Sequence, residues 1–127
     1  MCAVALRLAL CLSLLVAGSL AAPVHAEDKR PYDDQLIRLA EILGAVHYLR
    51  ELCGAGDGMK WRDRMEELIE AEGATAIRRA RFIGSFNKGY RGYKRTYQTC
   101  TKSAETAIGH FLVEGAEIAS AVADQKP

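Results

Sequence analysis

The sequence is short of the features that mark several common classes of protein. It has 17 Lys and Arg residues against 16 Asp and Glu over 127 residues. It therefore lacks the basic excess typical of nucleic-acid-binding domains, and we expect no nucleic-acid partner. It has only 3 prolines and 11 glycines, which excludes collagen-like and low-complexity chains. Half of its residues are hydrophobic, which excludes intrinsic disorder. These absences leave a small ordered protein.

The alternation of apolar and polar residues that predicts β-strands is also missing. Apolar residues recur instead at the three- and four-residue spacing of helices. We therefore predict an all-α fold, a compact antiparallel bundle of about four helices joined by short turns. Asp33 or Asp34 is expected to cap the first helix with its carboxylate. The predicted helices span about 32–52, 58–72, 75–98 and 102–124.

Patterns that carry catalysis or cofactors are absent as well. No Cys-x-x-Cys pair suggests redox chemistry, and the glycine-rich run 54–58 follows no strand, so it is not a phosphate-binding loop. His47 lies on the apolar side of the first helix, where a core residue is expected more often than a ligand. His47 and His110 match no zinc spacing with the cysteines. We expect no catalytic residue, no metal and no cofactor, and an enzyme is unsupported.

One long apolar run is present, at the N-terminus. Arg7 precedes the apolar segment 8–20, and small residues at Val24 and Ala26 come just before a charged stretch. This is the order of a cleavable export signal. The segment has about 13 residues, whereas a spanning helix needs roughly 20, so a retained membrane anchor is the less favoured alternative. We predict a signal peptide at 1–26 and a single helical domain at 27–127 with no transmembrane segment. The predicted location is the periplasm, with full secretion as the alternative.

Two of the four cysteines remain outside the predicted signal peptide. Cys53 and Cys100 follow the first and third predicted helices, which places both at the same end of an antiparallel bundle. Two cysteines in an exported domain most simply form a disulfide. Two free buried thiols are the alternative.

The third predicted helix has two chemically different faces. An aromatic stripe holds Phe82, Phe86, Tyr90, Tyr93 and Tyr97. A basic arc opposite or beside it holds Arg81, Lys88, Arg91, Lys94 and Arg95. We interpret the stripe as core, while the basic arc is either solvated or a binding surface for an anionic partner. Glycines within this segment either break the helix between 89 and 92 or let a neighbouring helix or ligand approach.

The near-neutral total charge hides a division along the chain. Residues 27–72 carry 12 acidic and 7 basic side chains, whereas residues 73–127 carry 9 basic and 4 acidic ones. Either the two halves attract each other within the bundle, or the basic half meets an anionic partner.

Eight stretches of the sequence carry a family resemblance: 31–44, 47–53, 61–63, 70–73, 78–81, 86–93, 96–97 and 99–101. They resemble an uncharacterised family of small exported alphaproteobacterial proteins with two well-separated cysteines. The resemblance covers nearly all of residues 27–127. It implies an export signal and a pairing of the two cysteines, and it transfers no activity and no catalytic residue.

Two functions from different classes fit these observations. The first is a non-enzymatic envelope protein that binds an anionic lipid, a cell-wall polymer or another protein through the basic arc, with Trp61 nearby. The alternative is a small periplasmic stress chaperone, by architectural analogy with acid-activated chaperones of that compartment.

Overall fold

Four helices make up the computed structural model, which describes residues 29–72 and 75–127. No strand occurs in these residues, so the all-α prediction is confirmed, and every helix boundary lies within two residues of its predicted position. The predicted signal peptide lies outside the described residues. The helices are α1 (Asp33–Leu52), α2 (Lys60–Ala71), α3 (Ala76–Thr96) and α4 (Lys102–Gln125).

Helix α1 is the central element of the bundle. Each of the other three helices packs against it, as expected for a helix whose second half is apolar nearly all round. Its side chains Leu36, Ala40, Val46 and Leu49 are at most 1% exposed. In the described part of the chain the backbones of α2 and α4 do not approach each other. A stretch of α1 therefore forms the floor of a groove between them.

Helices α1 and α3 cross at direct backbone contact. A methyl group added to Gly44 would lie 1.9 Å from the carbonyl oxygen of Phe86, and one added to Gly89 would lie 2.0 Å from that of Glu41. Only glycine fits at either position. Helix α3 runs without a break through Gly89 and Gly92. The glycine at 89 therefore admits a neighbouring helix and does not end the helix.

A disulfide holds one end of the bundle. Cys53 follows α1, and Cys100 lies in the turn between α3 and α4, with a Cα–Cα distance of 5.0 Å. The predicted pairing is confirmed. Gly54 and Gly56, with φ values of +72° and +69°, adopt the left-handed conformation that lets the chain turn away from α1.

Buried ion pairs hold the opposite end. Arg78 donates hydrogen bonds from Nε to Asp33 Oδ1 (3.0 Å) and from a terminal nitrogen to the carbonyl oxygen of Glu72 (2.9 Å). The Glu72 carboxylate accepts from Arg78 and from Lys126, and Arg30 lies 3.5 Å from it. We call these five residues the ion cluster. It joins the first residue of α1 to the ends of the other three helices.

The prediction that Asp33 or Asp34 caps α1 with its carboxylate is wrong. The helix begins at Asp33, and no side chain caps it. The Asp33 carboxylate accepts instead from Arg78 and from the backbone amide of Arg30, because a buried guanidinium needs a buried carboxylate beside it. Asp34 lies exposed.

None of the described helices is both long and apolar enough to cross a membrane.

Candidate functional site

The predicted basic residues share one helix and are all exposed. We call this set the basic face; it comprises Arg81, Lys88, Arg91, Lys94 and Arg95. Phe82, Phe86 and Gly89 are buried, which leaves the opposite side of α3 to the basic face. Helical periodicity was enough to predict this placement, because the aromatic and basic residues keep separate phases over five turns.

The two oppositely charged halves of the chain do attract each other, but only in part. Lys88 lies 3.4 Å from a carboxylate oxygen of Glu41 on α1, and the ion cluster pairs Arg78 and Lys126 with acidic residues of the first half. These contacts neutralise the middle of α3 and both ends of the basic half.

The C-terminal part of the basic face has no such partners. Arg91 and Arg95 make no hydrogen bond or ion pair with the described residues. The Lys94 ammonium lies 5.9 Å from the ring centroid of Tyr90 and near no carboxylate of the described chain. These cations lie close to the negative end of the α3 dipole, which stabilises them. Their three positive charges are nevertheless not neutralised by carboxylates, and they lie within about 6 Å along the helix axis.

The aromatic stripe divides between core and periphery. Phe82 and Phe86 are 0% and 4% exposed, whereas Tyr90, Tyr93 and Tyr97 are half-buried. Tyr97 shares a 2.9 Å hydrogen bond with Ser103, and the Tyr93 ring packs edge-on against Phe111 of α4. The three tyrosines therefore form a half-buried border of the core at the disulfide end, where the Tyr97 hydroxyl has a polar partner.

An apolar groove between α2 and α4 was not anticipated. Its volume is about 430 Å³. Its floor is α1, and its walls include Trp61, Leu68, Leu112 and Ala116. A sequence signal for it exists: the exposed α4 positions Leu112, Ala116 and Ala119, which line the groove, carry no charge.

His47 is buried between aromatic rings, at 7% exposure. Its ring centroid lies 6.0 Å from that of Phe86 and 5.7 Å from that of Tyr90. Burial lowers the pKa of His47 below its ordinary value of 6.5, and the charge of Arg62 lowers it further. The imidazole is therefore neutral at pH 7. It lines a small pocket beside the α1–α2 loop.

Asp57 organises that loop. Its carboxylate accepts hydrogen bonds from Arg50 and from the indole N–H of Trp61 (2.8 Å). The bonds from Arg50 and then from Trp61 hold the pKa of Asp57 well below its usual range. Among the described residues, no group of three or more His, Cys, Asp or Glu side chains is placed to hold a metal ion.

Comparison with known proteins places most of the chain in one family model. Residues 31–125 match the model described as "protein of unknown function (DUF2385)". This finding confirms the resemblance to an uncharacterised family. No curated protein and no solved structure matches the chain.

Proposed function

The chain belongs to the DUF2385 family, whose description states no activity, and from that premise we propose that the protein is a non-enzymatic binding module of the cell envelope. Its basic face contacts an anionic envelope component. The observation that carries this proposal is the group of three exposed cations, Arg91, Lys94 and Arg95, which have no carboxylate partner among the described residues.

Electrostatics supports this use of α3. The helix contains no acidic residue, so nothing on it screens the three cations. Unpaired cations on a rigid helix raise the local concentration of anionic groups without any rearrangement of the protein. Cations that are already ion-paired, such as Lys88, contribute less because their charge is compensated.

The assignment to the envelope has separate support. The N-terminal 26 residues have the order of an export signal, and the Cys53–Cys100 disulfide is of the kind that persists in oxidising compartments. Together they favour the periplasm as the place where an anionic lipid or wall polymer is met.

Vesicle binding tests the proposal directly. We expect the protein to sediment with vesicles of phosphatidylglycerol and phosphatidylcholine, and not with pure phosphatidylcholine, and to bind less at higher salt. The triple variant R91Q/K94Q/R95Q should bind about 100-fold more weakly, since each cation near an anionic surface contributes about 1 kcal/mol.

A control variant separates the basic face from net charge. K60Q/R79Q/K102Q removes three exposed cations from other parts of the surface and should bind nearly as well as the unmodified protein. Two results would contradict the proposal. One is equal weakening of binding in the two variants, and the other is an unmodified protein that binds neither anionic vesicles nor isolated anionic wall polymer.

The chaperone alternative has less support. The large apolar side chains that the described residues expose are scattered over α3, α4 and the residue before α2, on Met59, Ile77, Ile83, Leu112 and Val113. Scattered apolar residues are normal on soluble surfaces. A pull-down from envelope extract distinguishes the two functions. A broad set of clients and protection of an aggregating client at low pH would favour the chaperone, and one salt-sensitive partner would favour the binding module.

A further inference from the structure

A small pocket with polar side chains in its lining lies at the C-terminal end of α1, where the chain turns toward α2. Its volume is about 300 Å³, and it is lined by His47, Glu51, Asp57 and three glycines of the loop 54–58. Volumes of this size hold small molecules. The basic face lies on α3, so this pocket is a separate feature of the molecule.

His47 is the most deeply buried side chain that lines this pocket. The side chain is 93% buried, yet it makes no hydrogen bond with the described residues. In the described part of the chain no side-chain nitrogen or oxygen is sealed from solvent without a partner. Both ring nitrogens of His47 must therefore reach open space, and the pocket is the open space that the ring lines.

The other polar side chains of the pocket define its charge. Glu51 lies one helical turn after His47 on α1 and has no ion pair with the described residues. Asp57 is already committed, because its carboxylate accepts from Arg50 and Trp61. The unused groups are thus a carboxylate and a neutral imidazole, which presents one acceptor nitrogen.

The backbone around the pocket also affects which ligand charge the pocket favours. Helix α1 has 20 residues and ends at Leu52, so the negative end of its dipole lies beside the pocket. Gly54, Gly56 and Gly58 carry no side chain, and a ligand can approach the loop backbone closely. The Glu51 carboxylate, the acceptor nitrogen of His47 and the helix dipole favour a cation that carries hydrogen-bond donors, and they oppose the repulsion from the nearby charge of Arg62.

We propose that this pocket binds a small primary ammonium compound. The ammonium N–H groups donate to the carboxylate of Glu51 and to a ring nitrogen of His47. An organic cation is favoured over a metal ion because the described residues offer no set of three ligating side chains. An anion is disfavoured because it would face Glu51.

Titration of the isotopically labelled full chain, followed by amide NMR, tests the pocket with three probes. Ethylammonium has charge and donors, tetramethylammonium has charge alone, and ethanol has a donor alone. We expect saturable shifts at the amides of Gly54, Gly56 and Gly58 with ethylammonium, and at least about tenfold weaker binding of the other two, since hydrogen bonds to charged groups are the strong ones. Equal responses to all three probes, or no response to ethylammonium, would overturn the proposal.

Matched variants locate the binding groups. Glu51→Gln should weaken ethylammonium binding about tenfold, whereas Glu66→Gln, which removes an exposed carboxylate from α2, should leave it unchanged. His47→Phe keeps a ring against Phe86 and removes both nitrogens, so it should also weaken binding while the circular dichroism stays helical. Unchanged affinity in Glu51→Gln rejects the proposal even if His47→Phe fails to fold.

Discussion

The ion-pair partners of Arg78 could not be predicted from the sequence. It lies four residues before Phe82, in the phase of the buried stripe, and this position was the available sign that it faces the core. Its partners Asp33 and Glu72 come from α1 and from the residue after α2. Sequence periodicity places a residue on a face, but it does not show which distant carboxylates dock against that face.

Loss of Arg78 should destabilise the fold strongly. Arg78→Met leaves the buried carboxylate of Asp33 without its main partner and removes one of the partners of Glu72, and we expect the free energy of unfolding to fall by about 3–5 kcal/mol. The neighbouring exposed residue supplies the control, because Arg79→Met removes the same charge and should change stability by less than about 0.5 kcal/mol. Urea denaturation measures both; similar losses would show that the burial of Arg78 is not the cause.

The same cluster should make stability fall in acid. Burial alone would raise the pKa values of Asp33 and Glu72, but hydrogen bonds from Arg78, Lys126 and the Arg30 amide lower them below 3.8 and 4.5, with the neighbouring cations adding to the effect. Groups with lowered pKa values stabilise the fold above their unfolded values, and that contribution is lost as pH falls through the folded values.

Unfolding free energies measured from pH 7 to pH 2 check this dependence. We expect a plateau above about pH 5 and a steady decline below about pH 4. Glu72→Gln should give a shallower decline, because one titrating carboxylate is gone. An unmodified protein equally stable at pH 7 and pH 2 would refute this account.

At the scale of the helix, the helical periodicity and the helix-breaking residues of the sequence predicted where each helix begins and ends. They did not predict how the helices pack against one another. The three glycines of α3 look alike in sequence, yet only Gly89 meets another backbone, while Gly84 and Gly92 face open space. The α2–α4 groove was missed for the same reason. Helix spacing depends on the sizes of the residues where two helices cross, and the crossing partners are known only after docking.

Alanine substitutions in α3 should therefore have opposite effects. Gly89→Ala forces the new methyl against Glu41 of α1 and should cost about 3 kcal/mol or more. Gly92→Ala meets no neighbouring atom and should stabilise the helix by up to about 1 kcal/mol. Thermal unfolding of the two variants tests the crossing, and a Gly89→Ala protein as stable as the unmodified one would show that the helices are not in backbone contact.

For the whole molecule, opposite ends are held by different chemistry. The disulfide joins Cys53 to Cys100 across 47 residues, and the ion cluster lies at the other end. The disulfide was predicted from the sequence, because two of the four cysteines lie outside the predicted signal peptide and the topology places these two together. The sequence did not predict which residues of the acidic and basic halves form ion pairs, since a count of charges does not give their positions in space.

Removal of the disulfide should weaken the fold without changing it. Cys53→Ser with Cys100→Ser should lower the unfolding free energy by about 4 kcal/mol in the chain-entropy model. Because the ion cluster is remote, this loss should add to that of Arg78→Met within about 0.5 kcal/mol. Denaturant titration of the two variants and their combination measures this, and strong non-additivity would mean that the two ends are coupled.

The backbone contact between α1 and α3 also has a consequence for how the molecule opens. A pair of helices locked at Gly44 and Gly89 resists local opening more than the 12-residue α2, whose outer face is solvent-exposed. We expect amide hydrogen exchange to be slowest in the middle of α1 and α3 and fastest in α2. The native protein would then spend brief intervals with α2 detached from the other three helices, and these intervals would set where a protease first cuts it.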